Sequence, residues 1–315
     1  ILLLAVGIGA LQIMLERGEH EQWFDSHEIQ ALAAITVFSL VAFVWHELRT
    51  AHPVVDFSPL RDAQFSASIV FSFLLGMALF GTIFYLPLYL QSLLNYNAWE
   101  TGLVILPGAI SSGITMAVMG KTLTRLNIDL RWIAILGVAI FGVSMYQHQA
   151  FTTESGHADF FWPLIWRGVG LGMLFVPLNA LAMARIAPEQ IAGATGLYTL
   201  IRQLGGSVGI AAAATQFSHL QATFKADISL SVSELSQTTR DYEFMMQQLL
   251  TSKGVTHADL PEAMYRLLDA QMTAQASMIA FEHLFSQFSL ALVFALPLLL
   301  LMPTAKNLER FGGDH

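Results

Sequence analysis

Nine positions into an apolar run over residues 193 to 215 stands Arg202, near the middle of a segment long enough to cross a bilayer. A charge at that depth costs at least about 2.5 to 3.5 kcal/mol, so its side chain must face protein or water rather than lipid. Tyr198 and Gly205 share its helical face at i−4 and i+3, which places a tyrosine hydroxyl to solvate the guanidinium and a glycine gap to admit a partner. Two roles fit Arg202: a cation that lines a cavity or couples events within it, and an interhelical anchor. Arg167 lies about one turn inside the outer end of the run 163 to 184, where its stem is expected to snorkel to the interface. Glu282 and His283 open the run 281 to 302 and have the chemistry to pass protons, but their interfacial place predicts ordinary solvation.

Five further residues, Phe73, Met77, Phe80, Phe84 and Gln91, fall on one helical stripe at spacings of four, three, four and seven. Soft aromatic and methionine surfaces repack around varied apolar ligands. A stripe facing lipid has the same spacing, so cavity lining and lipid contact both fit. Pro87, Pro107 and Pro177 interrupt apolar runs, where each removes a backbone hydrogen bond and permits a kink or hinge. Gly168 with Gly172, and Gly205 with Gly209, have the Gly-x-x-x-Gly spacing that lets helix backbones approach closely, so helix packing is expected of them. The chain has no cysteine and its ten histidines show no ligand spacing, so no metal and no cofactor is expected. An enzyme acting on lipid would need converging acids, histidines or metal ligands within the membrane, and the apolar runs offer no such cluster.

These residues must be positioned by membrane helices. Hydrophobic residues make up 55% of the 315 positions and charged residues 12%, with a net charge of −8; an ordinary soluble domain is about 25% charged. Nucleic acid is not an expected partner, and the lipid bilayer is. A spanning helix needs about 20 mostly apolar residues. Eight windows qualify, approximately 1 to 15, 29 to 47, 66 to 91, 102 to 120, 131 to 147, 163 to 184, 193 to 215 and 281 to 302. They are too long and too little alternating for barrel strands, so the fold class is an all-α polytopic membrane protein. The first window has no basic segment ahead of it, and the chain is expected to begin inside a truncated helix with sequence upstream.

Topology follows from the basic residues between the windows. Arg49 and Arg61 follow the second window, Lys121, Arg125 and Arg131 the fourth, Arg185 the sixth, and Lys306 and Arg310 the last, whereas the opposite short loops hold Arg17. The even-numbered turns and the C-terminus are therefore expected in the cytoplasm. Residues 216 to 280 are polar, fall on the other side, and are still patterned. Phe217, Leu220, Phe224 and Ile228 continue a stripe out of the seventh window, Tyr242, Met245, Met246 and Leu249 form another, and Met264, Leu268, Met272 and Ile279 lead into the eighth. Asp259, Pro261 and Glu262 read as an N-cap and first turn. A helix from Leu260 to Ala295 would be about 54 Å long, so the expectation is an exterior helical hairpin rather than a floppy loop.

Several strings resemble the EmrB/QacA-like, fourteen-helix drug:proton antiporters of the major facilitator superfamily. LQIMLERGEHEQWFDSHEI is similar to the family's first linker hairpin, and HPVVDFSPLRDAQF to its entry to the C-terminal bundle. YLPLYLQSLLNYNAWETGLVILPGA is similar to the first bundle hairpin, and IRQLGGSVGIA to the penultimate bundle helix. The turn GKTLTRLNIDLRW resembles a degenerate copy of the superfamily's cytoplasmic loop motif, matching at Gly120, Arg125 and Arg131 and departing at Thr124 and Asn127. The resemblance implies two linker transmembrane helices over residues 1 to 50 and a C-terminal six-helix bundle over 51 to 315, with the insertion 216 to 280. It implies that the third and sixth windows line a central cavity, adding Asn179 to the stripe, Tyr198 and Arg202. It also implies proton-driven export of hydrophobic or amphipathic compounds across a bacterial inner membrane, with an EmrA-like periplasmic adaptor and a TolC-like outer-membrane channel. The proton-carrying acid would lie in an N-terminal half. A non-transporting membrane scaffold is the alternative from a different class.

Overall fold

The structure is a computed structural model that describes residues 2–19, 21–50, 57–123, 129–152, 154–231, 237–252 and 260–300. Among the described residues every regular element is helical. The helices are α1 (Leu2–Arg17), α2 (His27–Glu47), α3 (Ala63–Ser92), α4 (Ala98–Leu123), α5 (Leu130–His148), α6 (His157–Met183), α7 (Ile191–Ser231), α8 (Gln237–Ser252) and α9 (Leu260–Leu300). Arg125 of the loop motif, Asp259 of the expected N-cap and the basic tail lie outside the described residues.

Helix starts are set by short polar side chains that take up orphan backbone donors. Asp62 accepts from the Phe65 amide at 2.9 Å, and Asp129 from the Arg131 amide at 3.1 Å. Asn97 and Glu100 cap α4 reciprocally, each accepting the other's amide at 2.9 Å. At α6, Asp159 accepts from the Gly156 amide at 2.8 Å. Asn95 adopts a left-handed φ of 56°, the conformation that lets the chain reverse between α3 and α4.

The helices pack as neighbours: α3 lies parallel to α7 and α4 parallel to α6, α5 runs antiparallel to α6, and α9 packs against α3, α5 and α7. The pair α1–α2 packs on itself and reaches the rest through α7, where Ser207 hydrogen-bonds Gln12 at 2.5 Å and Trp23 donates to Thr215 at 3.1 Å. Tyr85, Tyr89, Phe141, Phe160, Phe281 and Phe285 are fully buried at the centre. Six described helices are long and apolar enough to cross a membrane: α2 to α6 and α9. Two of the eight expected spans differ. The described α1 has 16 residues, and α7 is long but diluted by Thr, Gln, Ser, Gly and Arg. A helix flanked by α1, α3 and α9 satisfies such polar atoms against neighbours and presents little side chain to lipid.

Both α7 and α9 run 41 residues, about 60 Å, twice the roughly 30 Å of a bilayer core. Their overhanging parts pair: Lys225 meets Asp269 at 2.7 Å, Gln221 donates to Ser277 at 2.6 Å, and the Phe217 and Phe281 rings lie 4.6 Å apart. Phe217, Leu220, Phe224 and Ile228 on α7, and Met264, Leu268, Met272 and Ile279 on α9, are half-buried along this hairpin. α8 rests on α9, with Met245 exposed and Met246 half-buried.

Where helices touch backbone to backbone, a methyl group has nowhere to go. A Cβ on Gly205 would sit 2.2 Å from the Phe73 carbonyl oxygen and one on Gly168 2.2 Å from that of Gly108, whereas one on Gly113 meets nothing within 4 Å. Gly205→Ala and Gly168→Ala are each expected to lower the melting temperature of the detergent-purified protein by several degrees, overpacking costing about 1–3 kcal/mol. Gly113→Ala should melt with the parent, and equal melting of all three variants would show that the seams yield.

Candidate functional site

The stripe on α3 is divided by its neighbours. Phe73 and Met77 are half-buried against α7, whose Gly205 and Gly209 lie on their backbones, so these two residues form part of a packing seam. Further along, Phe80, Phe84 and Gln91 turn outward, and with Ile83, Pro87, Leu88 and Ile210 of α7 they line an open groove of about 380 Å³. Pro87 supplies more than a kink. Lacking an N–H, it leaves the Ile83 carbonyl without its helical partner, so the groove holds a backbone acceptor as well as the Gln91 amide about two turns further along.

Arg202 shares the facing stripe of α7 with Gly206 and Ile210 at spacings of four, about 12 Å from the groove end along the helix. Its guanidinium carbon lies 4.7 Å from the Phe175 ring centroid and 5.6 Å from that of Tyr198. The cation therefore rests on aromatic faces, worth about 0.5–2 kcal/mol according to desolvation, rather than on the Tyr198 hydroxyl. The Gly205 gap expected to admit a partner is filled by the α3 backbone at Phe73. Asn179, one turn beyond Phe175 on α6, is exposed.

Gly168 and Gly172 meet α4 at Gly108, Ser111 and Thr115, and Gly170 and Gly137 bring α6 onto α5. Pro107 and Pro177 lie inside α4 and α6, as do Pro163 in α6 and Pro297 in α9, which the sequence reading passed over. A Cβ on Gly120 would meet open space, and Arg131 keeps a buried Nε without a partner. Among the described residues no group of His, Asp and Glu is placed to hold a metal.

Arg167 requires a correction. Instead of snorkelling, it is 6% exposed and packed inside the bundle, with Nη1 unpartnered. Its place on α6, between Pro163 and Gly170 on the side facing α5, points the stem between helices. His148, which spacing did not single out, is buried with it. The imidazole Nδ1 lies 2.7 Å from the Ser144 carbonyl, and its ring packs on Phe151 and Phe285. Between Gln147 and Gln149 at the end of an apolar run, His148 carries no sequence signal of its burial. Glu282 is half-buried, and His283 is exposed with its ring 5.3 Å from Phe224.

The pattern of the Major Facilitator Superfamily matches residues 1–210. The fatty acid resistance protein FarB of Neisseria gonorrhoeae is 28% identical over 313 residues, 99% of this chain and 59% of that protein. The multidrug export protein EmrB of Escherichia coli strain K12 is 32% identical over 233 residues, 73% of this chain and 45% of that protein. The colistin resistance protein EmrB of Acinetobacter baumannii is 26% identical over 250 residues, 76% of this chain and 48% of its own length. The chain thus spans about half the length of these relatives. Among solved structures, a bacterial homologue of the human lysosomal transporter Spinster, inward-facing and unoccupied, superposes with a TM-score of 0.54 at 14% identity. That match covers 89% of this chain and 58% of the other, and it speaks for the fold alone.

Outside the spans, Glu19 sets a measurable pH dependence. Burial raises its pKa, but hydrogen bonds from Ser218, Thr215 and Trp23 and the nearby His219 outweigh this and hold the carboxyl below its usual 4.5. A depressed folded-state pKa contributes stability that is present above the unfolded value and lost as pH falls through the folded one. The contact between the α1–α2 turn and α7 is therefore expected to weaken below about pH 4.5. Melting curves from pH 7 to pH 4 should fall more steeply for the parent than for Glu19→Gln; parallel curves would remove Glu19 from the account.

Proposed function

The chain belongs to the Major Facilitator Superfamily, and from that premise we propose that it is the C-terminal part of a proton-coupled exporter of hydrophobic or amphipathic compounds. Its fold and family are those of multi-pass membrane transporters. In this reading α1 and α2, within residues 1 to 50, are a linker pair, and residues 51 to 315 are one of two bundles that rock against each other across the inner membrane. The C-terminus lies in the cytoplasm, and the α7–α9 hairpin with α8 projects on the periplasmic side. There it meets an EmrA-like adaptor that continues to a TolC-like channel. The relatives named for resistance to fatty acids, drugs and colistin support a substrate that is apolar or amphipathic.

The observation that carries this reading is the groove on α3 and α7. Phe80, Phe84, Pro87 and Leu88 offer apolar area that adapts to varied shapes, while the Gln91 amide and the Ile83 carbonyl supply a few polar contacts. Arg202, Phe175 and Asn179 extend the same face toward the cytoplasmic side, with Tyr198 buried behind the Arg202 guanidinium. Proton motive force, rather than a cofactor, supplies the energy. Gly120, Arg125 and Arg131 belong to the cytoplasmic loop motif that steadies the bundle.

Efflux of a fluorescent amphiphile by the full-length protein in energised vesicles tests the proposal. Phe84→Ala and Gln91→Ala are expected to raise KM roughly 3- to 10-fold, about 1 kcal/mol, with little change in kcat. Collapsing the proton gradient should stop efflux. Unchanged efflux without the gradient would eliminate antiport, and unchanged KM in both variants would remove the groove from the substrate path.

A further inference from the structure

Two buried polar atoms without partners, His148 Nε2 and Arg167 Nη1, lie where α5, α6 and α9 pack together. Ser144 and Pro163 fix the register there, the serine hydroxyl donating to the Pro163 carbonyl at 2.7 Å. His148 lies one turn outward of that bond on α5, and Arg167 one turn inward of it on antiparallel α6. Side chains on a helix lean toward its N-terminus, so the arginine leans outward and the histidine inward, and the two converge over the Ser144–Pro163 bond. Two cations side by side repel, so beside the guanidinium the imidazole takes a proton only together with an anion.

Arg167 has no carboxylate within ion-pair distance among the described residues; the salt bridges belong to Arg17, Arg185, Lys225 and Arg266. Phe151, Phe160 and Phe285 enclose the histidine side. A buried guanidinium in such surroundings requires either a counter-charge or a hydrogen-bonding environment that these walls do not supply. A water molecule alone would donate to Nε2 and accept from Nη1 but leave the charge uncompensated.

We propose that Arg167 and His148 form an internal site for a small inorganic monoanion of the chloride class, occupied together with one proton. His148 Nδ1 faces the Ser144 carbonyl and so keeps its hydrogen. In the neutral ring Nε2 is then a lone pair, which repels an anion. Protonation at Nε2 converts it to a donor, and the anion accepts one hydrogen bond from Nε2 and one from Nη1. Entry is from the outer face, through a cleft of about 660 Å³ lined by Gln147, Thr152, Glu154, Asp159 and Pro163.

The charged and titratable groups around the site are few. α6 contributes Asp159, whose Oδ2 is held by the Gly156 amide, and α9 contributes Glu282 and His283, the latter exposed against Phe224. The α5–α6 turn contributes Glu154, and α3 contributes Tyr89, whose hydroxyl donates to the Thr152 carbonyl at 3.0 Å. α4, packed on the other side of α6, contributes Glu100, which is committed to its helix cap.

Purified full-length protein tests this by thermal melting in chloride against gluconate at constant ionic strength, and by a bromide anomalous map. Chloride should raise the melting temperature by several degrees at pH 5.5 and less at pH 8. Bromide should appear between Arg167 and His148. His148→Asn should lose the pH dependence of the chloride effect, Arg167→Gln the effect itself, and Arg167→Lys should keep a reduced one. If Arg167→Gln does not fold, the parent and His148→Asn still decide. A parent indifferent to chloride, a gap holding only water, or an unchanged pH dependence in His148→Asn would each overturn the proposal.

Discussion

Between α3 and α7 the two backbones approach until no Cβ fits. One added to Gly76 would lie 2.1 Å from the Arg202 carbonyl oxygen, and one added to Gly209 would lie 2.5 Å from the Met77 Cα. Gly206 meets the Phe80 ring in the same seam. In lipid, helices gain little from hydrophobic burial against one another, so contact area and backbone proximity must hold them. This approach fixes the height of Arg202 relative to α3, leaves Phe80 at the boundary of seam and groove, and directs Phe84 and Gln91 past the edge of α7 into open space. The groove exists because the seam above it is closed.

The same device recurs with different partners. Gly168 and Gly172 lay α6 on α4, and Gly170 with Gly137 lays α6 on α5, so α6 is gripped on two sides. That grip explains why Arg167 is inside. A helix held by glycines on opposite faces has little surface from which a charged stem can escape to the interface. Arg202, half-buried on α7, finds the aromatic faces of Phe175 and Tyr198 instead. Two arginines within apolar helices thus meet different environments, one enclosed between helices and one half-buried on aromatic rings.

Prolines complement the glycines. Pro87 and Pro177 each remove one backbone donor within the membrane span. Pro87 stands in the groove, where a ligand or water can meet the freed carbonyl, whereas Pro177 is buried and the carbonyl it frees, that of Met173, belongs to a residue packed on Gly137 of α5. The paired overhang of α7 and α9 follows a different logic: in water a surface ion pair such as Lys225–Asp269 contributes little, and the half-buried Phe, Leu and Met stripes carry the hairpin.

Local pattern determined a great deal. Apolar windows placed the helices to within a few residues in most cases, and the stripes 217–228 and 264–279 anticipated the hairpin, because helical period depends on residues close in sequence. The Gly-x-x-x-Gly spacings marked surfaces of close approach without naming what approaches. Only the tertiary structure decided what stands opposite each face. It divided one α3 stripe into a seam at Phe73 and Met77 and a groove at Phe84 and Gln91, enclosed Arg167, and brought His148 beside it. Helical periodicity assigns a residue to a face, but whether that face meets lipid, water or another backbone is set by helices far away in sequence.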